Sequence, residues 1–314
     1  MASGNLQQVY IESQLLRKTP LNTASLRSLV IYTPPGHQNS EKLPCVFFLP
    51  GFGSSPQQWL DKDFPMHRLM DYLILTQAIP RALLVCVDGS TPLGGSQYVD
   101  SVLNGPFSRH IIEEIVPYVE HHYGSRGPHS ICGHSSGGMG ALHLASCYPQ
   151  TFRTVASFAG DLHFELTHKN MLADLVNDMR SGKCGLNLKD SLDRKIVHYV
   201  LALCAAYSPN LEDSHWRVDF PIDLKNAMID ELVWKKWLSF DPLHWKKSRL
   251  DSLKKCDLVY LSAGQQDQYQ LHLGAEAFVH IAQERGINCR YEAFQGNHSL
   301  TLRQIEAGLK ALLN

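Results

Sequence analysis

The pentapeptide Gly133-His134-Ser135-Ser136-Gly137 sets a serine between two glycines, each two residues away. A serine hydroxyl is a weak nucleophile until a neighbouring base takes its proton. On a tight strand-to-helix turn its backbone is strained, and small residues on both sides let the chain turn and a substrate approach. A Gly/Ser-rich turn can produce this spacing by chance, so the flanks matter. The short run 130–132 precedes it as a strand. Gly138-Met139-Gly140-Ala141-Leu142-His143 then opens a helix, whose N-terminus favours developing negative charge. Ser136 is the competing hydroxyl in the motif, but it lacks the symmetrical glycine frame.

Acyl transfer at Ser135 needs three further groups. The base is a histidine on a loop after the last strand; Gly296-Asn297-His298-Ser299 follows the strand-like run 289–294 and precedes the final helix, so His298 fits. The other fifteen histidines lie largely on helices or in the middle of the chain. The acid that orients the base is expected past the penultimate strand, where Ala263-Gly264-Gln265-Gln266-Asp267 offers Asp267. Asp161, after the preceding strand, is the rival, and Asp88 reads as a turn residue. The oxyanion hole is expected from two backbone N–H groups. One belongs to Ser136, directly after the nucleophile. The other belongs to Phe52 in Leu49-Pro50-Gly51-Phe52-Gly53, an ordinary glycine turn being the alternative.

The elements that must hold these groups follow from the apolar pattern. Runs 9–15 and 26–32 suggest an antiparallel opening pair. Short runs at 45–49, 83–87, 130–132, 154–158 and 258–262 read as strands, several ending in Gly, Asp or Ser. Helices are predicted at 107–123, 269–285 and 300–313, where the apolar residues form one face, and at 138–147, which is rich in Ala and Leu. Strands alternating with helices predict an α/β fold, a mostly parallel sheet with helices on both faces and ligands at the carboxyl ends of the strands. Residues 163–247 break the alternation, with helical patterns at 190–206 and 229–238. They are read as a cap inserted into a core of 1–162 and 248–314; a helical excursion packed on the side of the sheet is the alternative. Trp59, Phe107, Phe164, Trp216 and Trp245 are candidate pocket walls, each equally readable as core packing. Tyr98 and Gln97 are candidates for the mouth.

Composition excludes several other classes. The chain has 314 residues, 44% hydrophobic and 19% charged, with a formal net charge of -1. That balance builds a core, and it provides no broad positive field for nucleic acid. No apolar run approaches the ~20 residues needed to span a bilayer. Eight scattered cysteines without a C-x-x-C pair read as small buried hydrophobes in a reducing compartment, not as disulfides or a zinc site. Met1-Ala2-Ser3-Gly4-Asn5 lacks the character of a leader, so the expected location is the cytoplasm. The oligomeric state has no sequence signal.

With these residues placed, the chain resembles the putative-esterase family of α/β-hydrolases, which includes esterase D (S-formylglutathione hydrolase), enterochelin esterases, feruloyl esterases and the mycolyltransferases of the antigen 85 group. Four segments between about residue 43 and the C-terminus carry the resemblance. They are Leu43-Pro44-Cys45-Val46-Phe47-Phe48-Leu49-Pro50-Gly51-Phe52-Gly53, the Gly95-Ser96-Gln97-Tyr98 stretch with Glu113-Glu114-Ile115-Val116-Pro117, the elbow around Ser135, and the two loops of Asp267 and His298. Many members read His-Gly where this chain has Pro50-Gly51, which removes a side chain from the floor of the site. The resemblance implies an α/β-hydrolase fold and a serine esterase acting on a small-molecule ester; the chemistry needs no metal or cofactor. A thioesterase or acyltransferase would use the same three side chains. A non-catalytic binding module of this fold is the third reading, against which an intact Ser135, Asp267 and His298 argue.

Overall fold

In a computed structural model, residues 3–60, 64–181 and 195–314 are described. Eight strands form one sheet in the order β1 (Asn5–Glu12), β2 (Leu26–Thr33), β4 (Leu83–Val87), β3 (Cys45–Leu49), β7 (His129–His134), β8 (Phe152–Phe158), β9 (Leu258–Gly264) and β10 (Cys289–Phe294). A two-residue pair, β5 (Asp100–Ser101) and β6 (Gly105–Pro106), stands apart. β1 and β2 pair antiparallel, as their sequence pattern suggested, and β2 runs antiparallel to β4. From β4 to β10 every neighbouring pair is parallel.

The continuous apolar runs of the central strands have a physical reason. Successive strand side chains point to opposite faces, and both faces are covered. Cys45, Phe47, Leu49, Leu83, Val85 and Val87 enter one core cluster. Val46, Phe48, Leu84 and Cys86 enter another on the opposite side. The first face is covered by the helical run 107–123, by α4 (Ser136–Cys147), by α8 (Lys247–Ser252) and by α9 (Leu271–Arg285). The second face is covered by α1 (Met66–Leu75) and α10 (Leu302–Leu313), whose apolar stripes meet it at Met66, Met70 and Leu73 and at Ile305, Leu309 and Leu312.

The sequence pattern did not single out α1. The run 107–123 is helical but not uniformly so: α2 (Phe107–Arg109) passes through a π turn at His110–Ile115 into α3 (Val116–Tyr123). Pro117 has no N–H to donate to the carbonyl four residues back, and the wider turn takes up that mismatch. A third cluster is built after β8 by α5 (Phe164–Arg180), α6 (Lys195–Tyr207) and α7 (Glu231–Leu238). It packs against Leu93, Val99, Leu103 and Met139 of the sheet domain. The first residues of the predicted helix 190–206 and Cys184 lie outside the described residues. The other seven cysteines are free; Cys147 is exposed, Cys289 is partly buried and the rest are buried. Among the described residues no helix is long and apolar enough to cross a membrane.

Phe47 is fully buried and makes edge-to-face contacts with Phe152 at 5.9 Å and His129 at 5.4 Å. Phe47→Ala is therefore expected to cost about 3–5 kcal/mol in urea unfolding. Leu232→Ala on the exposed face of α7 should stay within about 0.5 kcal/mol. Equal effects would show that the sheet core does not dominate stability.

Candidate active site

The strand order reverses between β3 and β7. The chain passes from β3 to β4 on one side, and from β7 through β8, β9 and β10 on the other. Leu49 at the end of β3 lies opposite Gly133 near the end of β7. The crevice beyond the carboxyl ends at such a reversal is where open α/β sheets bind ligands. The loop from Pro50 to Ser54 and the turn at Ser135 both leave the sheet there.

Ser135 takes φ 56° and ψ −123° between β7 and α4. A non-glycine residue in that conformation carries roughly 1–3 kcal/mol of strain and persists only where its surroundings over-determine it. They do so here. Its N–H donates to the Phe158 carbonyl of β8 at 2.9 Å, and its own carbonyl accepts from Gly138 at 2.8 Å and Met139 at 3.1 Å. Glycine is required on either side, because a Cβ on Gly133 would collide with the Gly137 carbonyl and one on Gly137 with the Leu49 carbonyl. Neither the Phe52 N–H nor the Ser136 N–H has an acceptor among the described residues. The loop that presents Phe52 is tied at its start: the buried Tyr98 hydroxyl donates to the Pro50 carbonyl at 2.7 Å. Its end is tied by Gly53 N–H to the Gly94 carbonyl at 3.3 Å.

Asp267 is 4% exposed and holds His298. Nδ1 of His298 donates to Asp267 Oδ2 at 2.8 Å, while Asp267 Oδ1 accepts the Tyr269 N–H at 2.8 Å. The acid and base loops touch because Gly264 has no side chain; a Cβ there would run into the Gly296 and Asn297 carbonyls. Backbone bonds fasten them, Gln265 N–H to the Phe294 carbonyl and Gln266 N–H to the Gly296 carbonyl, both at 2.9 Å. Asp161 does not meet His298; its Oδ2 accepts from the Tyr199 hydroxyl at 3.3 Å. Asp88 sits in a turn, accepting the Ser90 N–H at 2.9 Å, and also pairs with Arg27 at 3.0 Å.

His134 was read from sequence only as the variable residue of the elbow. Its Nε2 donates to the His298 carbonyl at 2.9 Å, and its ring lies 4.8 Å from the His298 ring. Burial first, and then the nearby His298, push its pKa down to about 4. His134 is therefore neutral at pH 7 and props the base without adding a positive charge beside it.

Ser135 and His298 line one cavity of about 720 Å³. Its walls are the Gly51–Phe52 loop, Met171 and Asp174 of α5, Ile196, His198 and Tyr199 of α6, Asp161, Tyr269 and Leu271. Ser135 Oγ makes no hydrogen bond among the described residues; catalytic pairs often close that bond only with substrate in place. The proposed pocket aromatics sit elsewhere. Trp59 is wedged among Phe48, Phe64 and His134. Phe107 lies in the core beside Arg27, and Trp245 is stacked at 3.6 Å under Arg249. Phe164 and Trp216 belong to the cluster of α5 to α7. Gln97 and Tyr98 are buried behind the Phe52 loop rather than at the mouth. Large aromatic rings remove more area from water by packing together than by lining a wet cleft. The true walls carried a weaker signal. Met171 and Asp174 are one turn apart on α5, and Tyr269 lies two residues after Asp267.

Two predictions follow from this geometry. Gly264→Ala should push the His298 loop outward and lower kcat/KM for esters at least tenfold while far-UV circular dichroism stays native. An unchanged rate would mean that the contact between the two loops is not tight. Second, His134 binds its proton near pH 4 when folded and near 6.5 when unfolded. Between those values the unfolded chain holds more protons, so stability falls as pH drops from 6.5 towards 4. Buried His129, His143 and His168 are pushed the same way. The urea midpoint should be lower at pH 5 than at pH 7, and His134→Gln should flatten part of that slope. A slope identical in the variant would remove His134 from the account.

A family model described as "Putative esterase" matches residues 23–301. An S-formylglutathione hydrolase from Paracoccus denitrificans is 27% identical over 171 residues, which are 51% of this chain and 59% of that protein's length. Among solved structures, a ferulic acid esterase superposes with a TM-score of 0.63 at 15% identity, covering 100% of this chain and 97% of that one. An S-formylglutathione hydrolase from Agrobacterium tumefaciens gives 0.61 at 15% identity, over 99% and 94% of the two chains. FphF, a fluorophosphonate-binding serine hydrolase of Staphylococcus aureus, gives 0.64 at 13% identity, over 99% of both. These likenesses establish the α/β-hydrolase fold, and the family match establishes the lineage: the chain belongs to the putative-esterase family.

Proposed function

We propose that the protein is a serine hydrolase that cleaves carboxylic esters of small molecules through an acyl-enzyme. The observation that carries this reading is the His298–Asp267 hydrogen bond of 2.8 Å beside a strained Ser135 in one cavity. Ser135 Oγ attacks the ester carbonyl carbon while His298 Nε2 takes the hydroxyl proton. The carbonyl π pair moves onto oxygen, and the resulting oxyanion accepts from the N–H groups of Phe52 and Ser136. Each such donor is worth about 3–4 kcal/mol in the transition state. The pair returns, the bond to the leaving alcohol breaks, and His298 gives the alcohol its proton. Water then adds to the acyl-enzyme as His298 accepts one of its protons. Collapse frees the acid and returns that proton to Ser135.

Asp267 keeps Nδ1 protonated, so that Nε2 is the bare nitrogen, and it stabilises the imidazolium. In this reading α5 and α6 form a cap over the reacting groups, because Met171, Asp174, Ile196, His198 and Tyr199 close the cavity from that side. A thiol is an equally competent leaving group, and the similarity to an S-formylglutathione hydrolase makes thioesters the second substrate class.

Hydrolysis of p-nitrophenyl acetate, butyrate and octanoate by the purified protein tests the reading. Ser135→Ala should lower kcat by a factor on the order of 10⁵–10⁶, and Asp267→Asn by about 10⁴. An identical rate in Ser135→Ala would rule out Ser135 as the nucleophile. Absence of turnover on both oxygen esters and thioesters would leave the binding-module reading in its place.

A further inference from the structure

The cavity that holds Ser135 and His298 has a charge in its wall. Asp161 follows Phe158 by three residues, and the Phe158 carbonyl holds the Ser135 N–H, so this carboxylate hangs from the strand next to the nucleophile. It lines the cavity, yet it is only 5% exposed. One oxygen accepts from the Tyr199 hydroxyl at 3.3 Å; the other has no partner among the described residues. A buried carboxylate without a cation is costly, and a protein that keeps one at a cavity wall gains when something positive arrives.

No cation among the described lining residues answers it. Asp174, exposed on α5, adds a second carboxylate, and among the described residues neither Lys nor Arg lines the cavity. Two of the lining imidazoles do not supply the charge either: burial pushes His134 and His198 down, so both are neutral at pH 7. His168 lies near enough to sense Asp161, but burial holds it down as well. The remaining wall suits a cation. Phe52 and Tyr199 meet edge-to-face at 4.9 Å, and the Tyr269 ring stands at 86° to His298. The faces of Phe and Tyr rings attract ammonium groups, more strongly where water is excluded.

We propose that this site, read as that of an ester hydrolase, selects substrates carrying an ammonium group, which Asp161 and Asp174 attract and the lining aromatic rings flank. Substrates bearing a carboxylate and no ammonium group are correspondingly disfavoured. The inference rests on the hydrolase reading but goes beyond it. That reading concerns the bond that breaks, and this one concerns the charge that the substrate carries.

The test compares matched substrates within one protein. On the acyl side they are the p-nitrophenyl esters of 6-aminohexanoate, 6-hydroxyhexanoate and adipate, the last as its monoester. On the alcohol side they are acetylcholine and its uncharged analogue 3,3-dimethylbutyl acetate. At least one cationic member should exceed its neutral counterpart about tenfold in kcat/KM, with the adipate monoester slowest of its series. That preference should shrink at high salt. Asp161→Asn should reduce the cationic-to-neutral ratio severalfold. Asp174→Asn, at an exposed helix position where the substitution does not threaten folding, should reduce it by a smaller factor. Ratios near one in both series would overturn the inference while leaving the hydrolase intact. So would a preference untouched by both substitutions, or a 6-hydroxyhexanoate ester that matches the amine, since the carboxylate would then act only as a hydrogen-bond acceptor. No turnover of any ester would strike the hydrolase reading first, and this inference with it.

Discussion

The structure depends on one close approach. Where β7 turns into α4, the backbone of Gly137 packs directly on the carbonyl of Leu49, with no room for a Cβ on either Gly133 or Gly137. That contact brings the helix onto the junction of β3 and β7, and the junction is where the strand order reverses. Every other group at the site is placed relative to it. The Phe52 loop leaves β3 at Leu49, Ser135 sits on the turn itself, and the next strand, β8, accepts the Ser135 N–H through Phe158. The strain at Ser135 is sustained because three elements hold it, and a hydroxyl lifted clear of the sheet is the consequence.

A second constraint follows from the first. His298, the proposed base, arrives on a loop more than 160 residues further along the chain than Ser135, and in that role it must be fixed in both position and charge. Gly264 lets its loop come close, Asp267 sets the tautomer, and His134 bonds the carbonyl of His298 from below. The residue before the nucleophile therefore supports the base, which links two loops that share no sequence neighbourhood. Its neutrality matters as much as its hydrogen bond. An imidazolium 4.8 Å from His298 would oppose the proton that His298 has to accept.

How much of this could be read from the sequence depends on whether an element's signal is local. β3 and β4 were read to the residue because continuous apolar runs ending in turn residues leave few alternatives, and β10 because Arg290 and Glu292 alternate with Cys289, Tyr291 and Ala293. Ser135, Asp267 and His298 were legible for a related reason: a strand end followed by Gly and a polar residue marks a loop at one edge of the sheet, and the structure brings Asp267 and His298 together. The cavity walls were not legible. Whether Trp59 or Tyr199 faces the substrate is settled by how α5 and α6 lie on the sheet, a relation between distant segments that no window of sequence contains. Aromatic size was a misleading guide, since Phe107, Phe164 and Trp245 contribute more by filling cores than by facing a cleft. The contacts of His134 and Tyr98 were illegible for a further reason. Each acts on a backbone carbonyl, and a carbonyl has no residue type to recognise.

The division between legible and illegible parts bears on specificity. Chains only 13–15% identical to this one share its fold over nearly their full length. Few individual side chains can then be essential to the sheet; what the sheet demands is alternation, turns, and glycine where backbones touch. The residues of α5 and α6 answer to looser rules, because they pack largely on one another and some of them meet a cavity. A carboxylate such as Asp161 would be expelled from a packed core, where nothing could offset its desolvation. At a cavity wall it is tolerated, and there it acts on whatever enters. In the proposed reading, reaction type is thus fixed by geometry that many sequences satisfy, and substrate charge by a few positions on which the fold places almost no demand.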